Sequence, residues 1–75
     1  MSQLPTLSGT QVVKAFERLG WEFSRQSGSH MVLTKEGDMA SLSVPKHKPV
    51  AKGTLRILIR SANLTVNEFL AATKT

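Results

Sequence analysis

Two histidines stand out as residues that could take part in chemistry. His30 follows a Gly-Ser pair, and His47 lies between two lysines in a proline-flanked segment. An imidazole accepts or donates a proton near neutral pH, so either histidine could act as a general base or a general acid. The alternative for His30 is a structural or bystander histidine. For His47, a solvated loop histidine is the favoured interpretation, because loop tips are generally exposed.

Basic side chains near these histidines favour the binding of an anion. Five of them fall within residues 46–60, a stretch that contains no acidic residue. A helix would align Lys52, Arg56 and Arg60, because residues four apart share a helix face. Such a row favours phosphate binding over an ordinary solvated face. The candidate phosphate-binding residues are Arg25, Lys35, Lys46, Lys48, Lys52, Arg56 and Arg60.

Composition and charge restrict the possible functions. Ten Lys and Arg against five Asp and Glu give a formal charge of +5 over 75 residues. This charge favours nucleic acid as a partner, ahead of an acidic protein or an anionic membrane surface. The chain has no cysteine and only two histidines, so neither a metal nor another cofactor is predicted. One small domain without a deep pocket is expected, and the lack of a signal or spanning segment predicts a cytoplasmic location.

The hydrophobic pattern predicts the element order α-β-β-β-α, followed by a short terminal helix. The first helix should start at Ser8, which has capping-box spacing with Gln11, and end at Gly20. Thr65 and Glu68 have the same spacing before the terminal helix. Strands are predicted over residues 21–26, 30–35 and 39–44, and later helices over residues 52–62 and 66–72. Residues 1–7 and 73–75 should be loosely held.

The three strands are consecutive and closely linked, which predicts an antiparallel meander, and the alternation within them predicts one apolar and one polar face. In the second strand, Met31 and Leu33 should enter the core while His30 faces outward. The other residues predicted to face inward are Trp21, Phe23, Ala40, Leu42 and Val44. Helices on one face of a three-stranded antiparallel sheet make an α+β fold. The same element order belongs to double-stranded-RNA-binding domains, which bind phosphates and 2′-hydroxyls.

Four segments match the pattern of a known family. They are residues 19–21 (LGW), 25–30 (RQSGSH), 44–47 (VPKH) and 52–58 (KGTLRIL). With them, the chain resembles the HicA family of toxins, the small mRNA interferases of bacterial and archaeal toxin–antitoxin systems. The similarity extends over about residues 8–70. Its specificity lies in the combination of Gly-Ser-His on a strand with the Val-Pro and Lys-Gly-Thr-Leu-Arg segments that follow.

This resemblance implies a fold like that of double-stranded-RNA-binding domains and metal-independent endoribonuclease activity on mRNA. The catalytic histidine of the family corresponds to His30, with His47, Ser29 and Gly28 as auxiliary candidates. A HicB-type antitoxin is the implied protein partner, and neither a membrane nor a small-molecule cofactor is implied. Two other functions stay open: a non-catalytic RNA-binding module of the same fold, and a domain that binds only protein.

Overall fold

Within residues 4–74, which the computed structural model describes, three helices pack on a three-stranded sheet. The elements are α1 (Gly9–Arg18), β1 (Glu22–Ser27), β2 (His30–Thr34), β3 (Ser41–Pro45), α2 (Lys52–Ser61) and α3 (Val66–Thr73). The strands are antiparallel in the order β1-β2-β3. The predicted α+β order and the meander are confirmed. No helix in this part of the chain is long and apolar enough to cross a bilayer.

Local sequence signals set the starts of two helices. At α1, the Gln11 N–H donates to the Ser8 hydroxyl at 3.2 Å, and the Ser8 N–H donates to the Gln11 side chain at 2.8 Å. Thr65 and Glu68 make the same reciprocal pair at α3. Each box satisfies backbone donors that the first helical turn leaves unpaired. Both predicted capping boxes are confirmed.

One hydrophobic core lies between the sheet and the helices. Met31 and Leu33 enter it from β2, as predicted, and the Phe16 and Phe69 rings meet within it at a centroid distance of 5.1 Å. That ring pair joins α1 to α3. Trp21 lies just before β1 and is 1% exposed. The predicted inward positions of Leu42 and Val44 are confirmed too.

Phe23 is 47% exposed, so its predicted place in the core is wrong. It pairs with Leu33, which puts it on the helix side of the sheet. However, β1 is an edge strand, and its pairing shifts by one residue between Phe23 and Arg25. An irregularity of this kind bends the strand locally. The helices therefore leave about half of the ring uncovered.

The third strand begins two residues later than predicted. The Asp38 N–H donates to the Lys35 carbonyl at 3.0 Å, and the Ala40 N–H donates to the Asp38 carboxylate at 2.9 Å. These bonds close two successive turns around Gly37, whose φ is +85°. Residues 35–40 therefore form a connection. Ala40 is exposed there, so its predicted inward position is wrong.

The segment before α1 packs against the core instead of forming the predicted loose arm. Leu4 is 3% exposed, and the Val50 N–H donates to the Leu7 carbonyl at 2.8 Å. At the other terminus, the Thr73 hydroxyl donates to the Leu70 carbonyl at 2.7 Å in the last turn of α3. Residues 1–3 and 75, which were also predicted to be loose, lie outside the described residues.

Candidate functional site at one end of the sheet

His30 is exposed at one end of the open sheet face. It is the first residue of β2 and pairs with Ser27 of β1 and with Pro45 of β3. Its neighbour Met31 turns into the core, and side chains alternate along a strand, so His30 points away from the helices. The predicted outward orientation is confirmed. The imidazole is accessible to a ligand arriving from solvent.

A two-residue hairpin turn places Gly28 and Ser29 directly before His30. Gly28 has a φ of +60°, a conformation that glycine adopts without steric cost. A Cβ at this position would meet nothing within 4 Å, so the need for glycine is conformational. The Ser29 carbonyl accepts the Lys46 N–H at 2.7 Å. The two auxiliary candidates therefore shape the entry into β2 and tie it to the segment after β3.

The connection between β3 and α2, residues 46–51, reaches the same end of the sheet. Its first residue, Lys46, is bonded to the turn before His30, and the His47 carbonyl accepts the Gly9 N–H at 2.9 Å. The side chains of Lys46, His47 and Lys48 are exposed. Helix α2 begins directly after this connection. The structure therefore brings both histidines to one end of the molecule.

Arg25 shares the open sheet face with His30. It pairs with Val32, and Ser27, the cross-strand partner of His30, lies two residues further along β1. Diagonal neighbours of this kind have Cα atoms about 7–8 Å apart, which long side chains can bridge. Arg25 therefore belongs with the other cations at this end. We call the following residues the basic end: Arg25, His30, Lys46, His47, Lys48 and Lys52.

The remaining predicted cations lie elsewhere. Lys35 follows β2 at its other end, roughly 16 Å from His30 along the strand. Its ammonium lies 6.0 Å from the centroid of the Trp21 ring. Arg56 and Arg60 lie about 6 and 12 Å along the axis of α2 from its first residue. Both arginines line a groove of about 340 Å³ beside the connection to α3.

Three of the five acidic side chains lie away from the basic end, at the other end of the sheet. Glu22 pairs with Thr34, at the end of β2 remote from His30. Glu36 and Asp38 lie in the connection from β2 to β3, at that same remote end. We call Trp21, Glu22 and residues 35–40 the opposite end. Because like charges gather at the basic end, it presents a positive field to an anionic ligand.

Gly9 belongs to this site although no sequence pattern singles it out. It is buried at the start of α1, and its N–H holds the His47 carbonyl. A Cβ added to it would overlap the Pro45 carbonyl oxygen and lie 3.0 Å from the Lys46 Cα atom. Its place directly after the capping serine does not by itself indicate this role. Its contacts lie in a distant part of the chain, which no local pattern reveals.

An open groove of about 710 Å³ is lined by residues of the start of α1 and of the β3–α2 connection. Lys48 and Pro49 line one side of it, and Thr10 and Gln11 line the other. Within residues 4–74, no group of three or more His, Cys, Asp or Glu side chains is placed to hold a metal ion. What the basic end offers chemically is an exposed imidazole beside cations that can hold phosphates.

A comparison with models of protein families identifies the family to which the chain belongs. Residues 9–64 match the family model of the HicA toxin of bacterial toxin–antitoxin systems. The chain belongs to the HicA toxin family. No curated protein matches the chain closely enough to count as a relative. The resemblance inferred from the sequence segments is thereby confirmed.

Membership makes this HicA chain a toxin of a toxin–antitoxin system, from a family whose members generally act as ribonucleases. The match covers the basic end in full, together with Arg56 and Arg60. It begins at Gly9, the residue that holds the β3–α2 connection, and ends before α3. The part of the fold that the family shares is therefore the part that builds the candidate site.

Proposed function

We propose that this HicA toxin is an endoribonuclease that cleaves mRNA, and that His30 transfers a proton in the reaction. The observation that carries the proposal is the placement of His30. It is exposed on the open sheet face, with Arg25 on the same face and Lys46 bonded to the turn before it. Ribonuclease activity is the general activity of the family. An imidazole among phosphate-binding groups is suited to this chemistry, because strand cleavage is a pair of proton transfers around one phosphorus atom.

In the proposed reaction, the 2′-hydroxyl oxygen attacks the adjacent phosphorus atom. Its proton passes to a base, the bond from phosphorus to the 5′ oxygen breaks, and an acid protonates that leaving oxygen. The products carry a 2′,3′-cyclic phosphate and a 5′-hydroxyl. No metal or cofactor is required for these steps. His30 acts as the base, as the acid, or as both in turn, and His47 is the candidate for the second proton-transfer group.

The cations have graded roles in this scheme. Arg25 and Lys46 flank His30, on its own sheet face and next to its hairpin turn, so they are placed to hold the scissile phosphate. Lys48 and Lys52 follow along the chain and would hold neighbouring phosphates. Arg56 and Arg60 extend this track along α2. Lys35 has no part in it, because its ammonium lies against Trp21 at the opposite end.

The proposed protein partner is a HicB-type antitoxin that acts in the cytoplasm with its toxin. Complementary charge favours encounter and fixes register between proteins. We therefore expect the antitoxin to cover His30 and to set acidic side chains against the basic end. A structure of the complex checks this expectation. An antitoxin seated elsewhere, with His30 open to solvent, would count against inhibition by direct occlusion.

The test is RNA cleavage by the purified toxin and its His30→Ala variant in the presence of EDTA. Loss of a general acid or base typically lowers the rate about 10²- to 10⁴-fold. The variant should keep its fold because His30 is exposed. It should keep its affinity for RNA because the cations that bind phosphates are unchanged. Lys35→Ala, at the opposite end, is the control and should cleave RNA like the wild type, whereas His47→Ala should lower the rate about as much as His30→Ala if His47 is the second proton-transfer group.

Two outcomes would contradict the proposal. Equal cleavage by the wild type and by His30→Ala would remove His30 from the mechanism. RNA that wild-type toxin binds but leaves intact would identify a non-catalytic RNA-binding module instead.

A further inference from the structure

We propose that Gly9 is a positioning residue that sets Lys46 and His47 beside His30. The functional part of this inference rests on the proposed ribonuclease activity, whereas its structural part does not. Gly9 has no side chain with which to contact the His30 or the His47 imidazole. Its role follows from where its backbone lies and from what a larger residue would displace.

Two backbone hydrogen bonds hold the start of the β3–α2 connection. On one side, the Lys46 N–H donates to the Ser29 carbonyl at 2.7 Å, next to His30. On the other side, the Gly9 N–H donates to the His47 carbonyl at 2.9 Å. Consecutive residues of the connection are thus fixed to two different elements, the β1–β2 turn and the first turn of α1. We call this pair of bonds the clamp.

The clamp needs glycine at position 9. A Cβ there would overlap the Pro45 carbonyl oxygen, and it would also lie 3.0 Å from the Lys46 Cα atom and 3.1 Å from the Met31 methyl carbon. Two of these three neighbours are backbone atoms, which cannot turn aside as a flexible side chain can. Any larger residue must therefore push the connection away from α1, or move α1 away from the connection.

Such a displacement would move Lys46 and His47 relative to His30. Pro45 is the cross-strand partner of His30, and Lys46 follows it. A shift at Pro45 therefore changes where the Lys46 ammonium and the His47 imidazole lie relative to the His30 imidazole. A misplacement of about 1 Å can cost roughly 100-fold in rate. Phosphate contacts further away, at Lys52 and beyond, would be preserved.

The first measurement needs no variant. Amide hydrogen exchange of the wild-type toxin, followed by NMR, should show the Gly9 and Lys46 amides protected like those of the middle of α1. Exposed connections normally exchange much faster than helices. If both amides exchange at the rate of an open loop while the core stays protected, the clamp does not exist, whatever the toxin does to RNA.

The second measurement uses Gly9→Ala and two control variants. Gly53→Ala makes the same chemical change in the first turn of α2, where a Cβ meets nothing within 4 Å, so exchange at Gly9 and Lys46 should be unchanged. Glu17→Ala changes an exposed residue of the same helix outside the candidate site and should cleave RNA like the wild type. Gly9→Ala should speed exchange of the Lys46 amide by at least tenfold.

Kinetics separate positioning from a loss of folded protein. For each folded molecule, Gly9→Ala should lower kcat roughly 100-fold and change KM less than threefold, because the outer phosphate contacts are preserved. An unchanged kcat for each folded molecule, with wild-type cleavage intact, would overturn the positioning role alone. If the wild type does not cleave RNA, the ribonuclease proposal fails and the exchange data still decide the clamp. If Gly9→Ala does not fold, the exchange pattern of the wild type still shows whether the clamp exists.

Discussion

The basic end and the opposite end lie at the two ends of the same three-stranded sheet, and their side chains differ in charge and exposure. At the basic end, His30 and the cations of the β3–α2 connection are exposed, and backbone hydrogen bonds fix the chain beneath them. At the opposite end, Trp21 is 1% exposed and the Lys35 ammonium lies 6.0 Å from its ring centroid. One end presents positive charge to solvent, while the other sets its cation over a buried ring.

On the proposed function, this chain of 75 residues separates stability from chemistry. The exposed side chains of the basic end bury little surface, so they can be replaced at small cost in folding free energy. Large buried side chains such as Trp21 and Phe16 supply the apolar burial that folding requires. Variants at the two ends should therefore produce opposite patterns in stability and in activity.

The largest effect should come from Trp21→Ala at the opposite end. Truncation of a buried tryptophan costs about 3–5 kcal/mol in the free energy of unfolding, since it removes apolar burial and leaves a cavity. Urea unfolding followed by circular dichroism measures this loss. RNA cleavage for each folded molecule should stay at the wild-type level. A fall in that specific activity would show that the two ends are coupled, and Trp21→Phe, which keeps a ring, serves as the milder comparison.

Charge reversal should divide the two ends next. Lys46→Glu places a carboxylate beside the proposed scissile phosphate and should lower RNA cleavage by about tenfold or more, with little change in stability. Lys35→Glu makes the same change against Trp21 and should leave cleavage nearly unaltered. Initial rates on one RNA at fixed salt measure both variants. Equal losses would mean that net charge, and not position, determines activity.

The smallest of these effects concerns salt. Each cation that contacts a phosphate of single-stranded nucleic acid contributes about 0.7 to the slope of log K against log salt concentration. Lys48→Ala and Lys52→Ala should each reduce the slope by that amount, and Lys35→Ala should not change it. Fluorescence anisotropy with a labelled RNA over a salt series gives the slopes. Arg56→Ala and Arg60→Ala show, in the same assay, whether the track extends along α2.

Local signals in the sequence predict most of the fold. Three features depend only on residues near in the chain: the capping boxes of α1 and α3, the left-handed Gly20 after α1, and the alternation that turns His30 outward. Backbone sterics and short-range hydrogen bonds decide such features, so a pattern of a few residues suffices. The family resemblance, over about residues 8–70, implies the same fold.

The errors arise where distant parts of the chain decide the outcome. Phe23 alternates correctly but lies on an edge strand with an irregular register, so the helices cover it only in part. Sequence reports the charge of Lys35 but not the direction of its side chain, and the fold sets its ammonium 6.0 Å from the Trp21 ring centroid. The contacts of Gly9 with Pro45 and Lys46 require a folded chain. Packing between elements, and not propensity, set these positions.

On the proposed function, RNA binds and reacts at the basic end. The most direct test is an NMR titration of the toxin with a short single-stranded RNA whose 2′-hydroxyls are methylated, so that it binds without being cleaved. If RNA binds there, chemical shifts should change at the amides of Arg25, His30, Lys46 and His47. The amide shifts of Trp21 and Lys35 should stay unchanged. Shifts confined to the opposite end, or to the α2–α3 groove, would contradict binding at the basic end.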